Sequence, residues 1–248
     1  MKIDILTLFP EMFDAVTKSS ILGRAGEKGI LDINTIDIRK YSKDKHSKAD
    51  DYPFGGGVGM VMLLQPIFDA LESVNARGKK IIYMSPRGRV LDQEKVQSLA
   101  KLDQIVILCG HYEGVDQRVI DHWQMEEISI GDFITTGGEL PAMVLIDSVA
   151  RFVPEVLGTE ESAVEESIYS GLLEYDQYTK PREYDGLQVP EVLYSGNHKA
   201  IHLWQFENSI EKTIQRRPDL FENFIRDRWE NLSKEEKKIV KKYRQVTD

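Results

Sequence analysis

The chain opens on Ile3-Asp4-Ile5-Leu6-Thr7-Leu8-Phe9, a mostly apolar run that predicts a strand over residues 3–9, and Pro10 then fits the first turn of a helix. From there the pattern trades strand for helix repeatedly. Residues 31–38 predict a second strand, Pro66 starts a helix reaching about Asn75, and residues 80–84 predict a strand ending in Ser85-Pro86-Arg87-Gly88. Asp92 caps a helix to Lys101. Two further apolar runs break at glycine: residues 105–109 lead into Gly110-His111-Tyr112-Glu113-Gly114, and residues 128–134 into Thr135-Thr136-Gly137-Gly138-Glu139-Leu140-Pro141. A short helix at 116–123 separates them, and Pro141 falls in the first turn of a helix to about Phe152. This alternation predicts an α/β fold, a largely parallel sheet with helices on both faces and ligand turns at the carboxyl ends of its strands.

Past Phe152 the texture changes. Residues 154–166 carry Glu155, Glu160, Glu161, Glu165 and Glu166 with little apolar periodicity, which reads as an exposed, mobile linker between two domains. Beyond it, residues 198–217 form a helical pattern, Pro218 starts another helix, and Ser233-Lys234-Glu235-Glu236 makes a capping box for a last helix ending near Gln245. The expected organisation is an α/β domain over 1–157, a mobile acidic linker over 158–175 and a small helical domain over 176–248. Gly55-Gly56-Gly57-Val58-Gly59 reads as a flexible loop, and no internal repeat is visible.

Bare glycine at a strand exit lets backbone N–H and C=O groups approach a ligand without a Cβ in the way. Paired turns of this kind suit a nucleoside-like molecule. No G-x-G-x-x-G opens a helix and no Gly-Lys-Ser/Thr is present, so the dinucleotide fingerprint and the P-loop are both excluded. Cys109 is the single cysteine, which excludes an internal disulfide framework and a cysteine-based zinc cage and agrees with a reducing compartment. Its apolar neighbours predict a buried, inert thiol. Asp4 and Pro10 interrupt the amino-terminal apolar stretch too early for a signal peptide or membrane span, so the expected location is the cytoplasm, with no membrane partner.

The net charge of −9 argues at first against a nucleic-acid partner. Its distribution changes that. From Gly171 onward the 14 basic and 14 acidic residues balance, whereas the preceding 170 residues carry 27 acidic against 18 basic. Local basic clusters persist at Arg39-Lys40 with Lys43, Lys45 and Lys48, at Arg216-Arg217, and at Lys237-Lys238 with Lys241-Lys242.

Several long motifs occur in one order: Leu8-Phe9-Pro10-Glu11-Met12-Phe13, then 50–60 with Asp50-Asp51-Tyr52-Pro53-Phe54-Gly55, then Gly110-His111-Tyr112-Glu113-Gly114-Val115-Asp116, then Gly131-Asp132-Phe133 with Gly137-Gly138-Glu139-Leu140-Pro141, and finally Ser195-Gly196-Asn197-His198. With these motifs the chain resembles the bacterial tRNA (guanine-N1)-methyltransferases over essentially its full length. The resemblance implies a homodimeric enzyme of the SPOUT superfamily, with a deep trefoil knot in its α/β domain, that uses S-adenosylmethionine to methylate N1 of guanosine at tRNA position 37, beside the anticodon. It further implies a methyl-donor site lined by Pro86, Gly110, Ser129, Ile130, Gly131, Asp132, Phe133, Ile134, Thr135, Gly137, Gly138 and Pro141. The family is associated with Mg²⁺ dependence, but no carboxylate cluster in this sequence announces a site. His111, His122 and His202 lack metal-ligand spacing and read as packed or surface histidines.

Guanine N1 holds a proton at neutral pH, so its methylation needs a base near N1 and a group to stabilise charge building on O6. By resemblance the base is Glu166 and the assisting cation Arg151. The family commonly has an aspartate where this chain has Glu166 before Ser167, and Glu165 is the fallback candidate. Arg151 equally suits a helix carboxyl end as a partner of the dipole. Glu113 and Asp132 either face the donor or satisfy amides of their own turns. Contacts to tRNA would come from the loop at 40–59, the helical domain and Tyr178-Thr179-Lys180-Pro181, in which Lys180 replaces the usual arginine. Gln117, Phe133 and Asp176 also depart from the family's glutamate, tyrosine and proline. Two rival readings stand beside this one: a catalytically impaired tRNA-binding protein on the same scaffold, and a small-molecule α/β enzyme using another nucleotide.

Overall fold

The computed structural model describes residues 1–157 and 171–244, and the chain divides into two compact units, 1–160 and 161–248. In the first unit, strand β1 (Lys2–Thr7) is followed by the short helices α1 (Asp14–Thr17) and α2 (Ser20–Glu27), strand β2 (Asp32–Asp37), the two-residue strands β3 (Asp50–Asp51) and β4 (Val61–Met62), and helix α3 (Leu64–Ser73). Strand β5 (Lys80–Val90), helix α4 (Gln93–Ala100), strand β6 (Gln104–Cys109), helix α5 (Gln117–His122), strand β7 (Glu126–Ser129) and helix α6 (Glu139–Ala150) complete it. Five strands form one sheet in the order β2-β1-β6-β5-β7, and every pairing in it is parallel.

A strand points successive side chains to opposite faces, so a strand buried on both faces reads as continuous apolar sequence. Strand β6 shows the consequence. Ile105, Ile107 and Cys109 enter a core with Leu145, Ile146 and Val149 of α6 and Val96 and Leu99 of α4, whereas Val106 and Leu108 enter a second core with Ile67 and Leu71 of α3 and Val119 and Ile120 of α5. Helices therefore cover both faces, as the alternation predicts. Each fully buried Leu or Ile contributes about 1.5–3 kcal/mol of transfer free energy.

Local signals set several element ends. Asp92 Oδ1 accepts from the Lys95 N–H at 2.8 Å, and Asp116 Oδ1 from the Arg118 N–H at 2.9 Å, so both aspartates start their helices as N-caps. Three expectations need correction. Pro10 opens a 3-10 turn, Pro10–Phe13, and the chain then breaks into α1 and α2 at Ser19, whose backbone is extended at φ −123° and ψ 161° and therefore cannot continue a helix. The strand expected to end near Met84 continues to Val90: Met84 and Arg89 both align with Ile128 of β7, so residues 85–88 bulge out of the ladder instead of forming a turn after it. The strand expected over 128–134 stops at Ser129, whose hydroxyl donates to the Gly131 carbonyl at 2.9 Å and accepts from the Gly131 N–H at 3.1 Å. That local ring turns the chain out of the sheet.

Within the second unit, a hairpin of β8 (Glu183–Tyr184) and β9 (Leu187–Gln188) precedes helices α7 (His198–Arg216), α8 (Pro218–Arg228) and α9 (Lys234–Arg244). The hairpin turns on Asp185 and Gly186, both at positive φ, as an Asp-Gly pair in a two-residue hairpin loop requires. Asn197 caps α7, Pro218 stands at the start of α8, and the capping box of α9 forms in both directions: Glu236 accepts from the Ser233 N–H at 2.7 Å, and Ser233 from the Glu236 N–H at 3.2 Å. The three helices enclose Ile210, Phe221, Phe224, Ile225 and Val240. Gln245, the expected end of α9, lies outside the described residues. No helix among the described residues is long and apolar enough to cross a membrane.

Candidate active site

Strand β5 lies between β6 and β7 in the sheet, and its bulge, together with the segments leaving β6 and β7, surrounds a cavity of about 340 Å³. That falls within the roughly 300–1,000 Å³ of small-molecule sites. The bulge of β5 contributes Ser85, Pro86 and Arg87, the exit of β6 contributes Gly110 to Val115, and the exit of β7 contributes Ser129 and Ile130 and then residues 133–138. Pro141, in the first turn of α6, closes the wall.

Glycine is required where these segments meet. A Cβ on Gly138 would stand 2.8 Å from both Cys109 Cα and Gly110 N, and the bare backbone instead lets the Gly138 N–H donate to the Gly110 carbonyl at 2.8 Å. The β6 and β7 exits are thereby joined edge to edge. A Cβ on Gly110 would lie 2.7 Å from the Tyr83 ring, so that ring packs directly on the backbone of the cavity wall. Burial, with the Glu127 carboxylate as second cause, raises the Tyr83 phenol above its ordinary value, and Arg87 opposes this. Arg87 itself pairs with Glu127 at 3.2 Å and reaches Gln117 at 3.4 Å. Burial, aided by the Glu139 charge, pushes the Cys109 thiol well up, which agrees with the inert thiol expected.

The loop at 40–59 ends against the same site. The Glu113 N–H donates to the Met60 carbonyl and the Met62 N–H to the Gly114 carbonyl, each at 2.9 Å, and Gly59 rests so closely on Glu113 that a Cβ would fall 2.5 Å from its carboxylate. Tyr52, Phe54 and Val58 on this loop are almost wholly exposed.

Of the residues expected to line a methyl-donor site, Pro86, Gly110, Ser129, Ile130 and Phe133 line the cavity, together with Ile134, Thr135, Gly137, Gly138 and Pro141. Gly131 and Asp132 do not. Gly131 instead packs under the Phe133 ring and accepts from the Phe133 N–H, which carries the chain past the cavity at that point. Glu113 lines the cavity. Arg151 is the half-buried C-cap of α6, and Glu166, with Glu165, lies outside the described residues. Among the described residues, no group of three or more His, Cys, Asp or Glu is placed so that it could hold a metal ion. His122 stacks against Phe68 and Trp123, and His202 is exposed.

Sequence reasoning missed Tyr83, whose place in an apolar strand hides its role as a wall, and it missed a buried polar chain behind the cavity. Thr7 Oγ1 donates to Glu139 Oε1 at 2.6 Å, and Glu139 Oε2 lies 2.7 Å from His111 Nε2. Glu139 is 1% exposed. Its position in the first turn of a helix that follows two glycines was the one available signal, and it reads equally as a partner of the helix dipole.

The family described as tRNA (guanine-1)-methyltransferase TrmD matches residues 1–223. The chain is 54% identical over 224 residues to a protein of Ruminiclostridium cellulolyticum, covering 89% of this chain and 96% of the relative. It is 52% identical over 242 residues to one of Clostridium perfringens, covering 97% and 99%, and 55% identical over 225 residues to one of Alkaliphilus metalliredigens, covering 89% and 91%. Each of these relatives is named tRNA (guanine-N(1)-)-methyltransferase. A parallel α/β sheet with one cavity walled by a bulge and two glycine-bearing strand exits, and this extent of identity across nearly the whole chain, agree on one assignment: the chain belongs to the tRNA (guanine-1)-methyltransferase family.

Proposed function

We propose that the protein methylates N1 of guanosine at position 37 of tRNA, with S-adenosylmethionine as methyl donor. The observation that carries this reading is the 340 Å³ cavity walled by the bulge of β5 and by the glycine-bearing exits of the parallel strands on either side of it, β6 and β7. Backbone N–H and C=O groups suit an adenine edge and ribose hydroxyls, and no basic phosphate cradle is needed. When bound, S-adenosylmethionine supplies a methyl group activated by its sulfonium. Glu166 takes the N1 proton as the N1–CH₃ bond forms and the S–CH₃ bond breaks, and Arg151 stabilises the charge that builds on O6. The Glu113 carboxylate at the cavity wall favours a cation there.

The proposal includes the homodimer, the deep trefoil knot in the α/β domain and the cytoplasmic location that the family resemblance implies. It also includes the division into a donor-binding domain over 1–157, a linker over 158–175 that carries Glu166, and a tRNA-binding domain over 176–248. Methyl transfer to transcripts with guanosine at position 37, and none to transcripts with adenosine there, is the expected result. Binding of tRNA with no transfer to either transcript would favour the impaired-binder reading that the glutamate at 166 motivates.

Affinity for tRNA should fall steeply with salt, because phosphate contacts release counterions. Exposed Lys238 and Lys241 on α9 belong to a run of lysines in which Lys237 and Lys241 also lie over the Trp229 ring, at 5.5 and 6.0 Å. Replacing Lys238 with Gln should weaken tRNA binding and lower the slope of log K against log salt by about one unit. Filter binding across a salt series measures both.

A further inference from the structure

We propose that Glu139 is a positioning residue for the methyl-donor cavity, acting through His111 and the Gly137 backbone, a proposal that rests on S-adenosylmethionine being the ligand of that cavity. Glu139 is at the first position of α6, is almost fully buried, and is not among the residues that line the 340 Å³ cavity. His111 and Gly137 do. Burying a carboxylate is unfavourable unless its oxygens are bonded, and both are. Thr7 Oγ1 accepts from the Phe9 N–H at 2.9 Å, which leaves the hydroxyl proton directed at Glu139 Oε1. The other oxygen faces His111 Nε2, so a proton on that nitrogen completes the chain.

Each partner comes from a different element. Thr7 ends β1, His111 belongs to the exit of β6, and Glu139 starts α6. The pair lies directly against bare backbone: a Cβ on Gly137 would fall 2.3 Å from His111 Nε2 and 2.6 Å from Glu139 Oε2. Gly137 in turn accepts from Thr135 Oγ1 at 2.8 Å, and Gly138 donates to Gly110 at 2.8 Å. Both glycine exits are therefore registered on one carboxylate, and the Phe9 ring, 4.8 Å from that of His111, holds the imidazole from the other side. A hydrocarbon could fill the same volume, but it would leave the angle between the two exits unspecified.

Calorimetry of S-adenosylmethionine binding, at a temperature where melting curves show each variant folded, tests this. Losing a hydrogen bond to a charged group should raise Kd about tenfold or more in Glu139→Gln and His111→Leu. His111→Gln keeps an N–H near the Nε2 position and should stay within about threefold of the parent, by the same scale. Parent-like affinity in both Glu139→Gln and His111→Leu, whatever their melting temperatures, would reduce the carboxylate to a fold-holding role and overturn the proposal. So would a His111→Gln variant as impaired as His111→Leu. If Glu139→Gln does not fold, the two His111 variants still decide. A parent protein that does not bind S-adenosylmethionine defeats the functional assignment instead, so the two failures are distinguishable.

Discussion

Glu166→Gln is expected to lower the single-turnover rate of methyl transfer by about 10²–10⁴-fold, the usual contribution of a positioned general base, while S-adenosylmethionine binds the variant as it binds the parent. The reason is that guanine N1 is not nucleophilic until its proton leaves. An amide at 166 keeps the size and hydrogen-bonding capacity of the side chain but cannot accept that proton. Glu166→Asp tests the same assignment from the other side, because it installs the residue that the family commonly has at this point and shortens the reach by one methylene. It should keep most of the activity. If Glu165→Gln stops transfer and Glu166→Gln does not, the base is the neighbouring carboxylate, and if neither does, no carboxylate of this segment is the base. Rapid-quench methylation of a tRNA transcript with guanosine at position 37, run beside calorimetry with the methyl donor, separates chemistry from binding.

Gly88→Ala is expected to lower stability by about 3 kcal/mol, because an added methyl group here meets backbone that cannot move aside as a side chain would. A Cβ at Gly88 would lie 2.3 Å from the Glu127 carbonyl carbon and 2.4 Å from the Ile128 nitrogen. Strands β5 and β7 must separate to admit it. The same separation moves both walls of the cavity, since Ser85, Pro86 and Arg87 lie in the bulge on one side and Ile128, Ser129 and Ile130 on the other. The melting temperature should drop by roughly 6–12 °C, and affinity for S-adenosylmethionine should fall with it. Gly78→Ala is the control for an added methyl: Gly78 has open space around it, so only its positive φ is strained and the loss should be about 1 kcal/mol. Equal melting temperatures for Gly88→Ala and the parent would show that the two strands yield to a methyl group at no cost.

The sequence by itself determined the parts of the molecule that local rules govern. Residues 105–109 are apolar at every position because β6 is buried on both faces, and that is visible without knowing what covers it. Asp92, Asp116 and the Ser233–Glu236 pair cap helices through bonds that span two or three residues, so their side chains announce the helix starts. The ordered motifs carried the resemblance, and with it the expectation of a donor site at the glycine exits.

Tertiary structure decided the rest, because the deciding contacts join residues far apart in the chain. Ile130, Phe133 and Ile134 look like a continuation of β7, yet the Ser129–Gly131 ring turns the backbone away and makes them cavity lining. The extension of β5 to Val90 depends on Arg89 meeting Ile128 across the sheet, which no window around residue 85 contains. Glu139 is the plainest case. In sequence it is one more acidic residue at the start of a helix; only the fold brings it to Thr7, 132 positions away, and to His111, 28 positions away, behind the cavity that these elements enclose. A hydrophobic pattern fixes which face of an element is buried, but the partner of a buried charge is set by the packing of whole elements against one another.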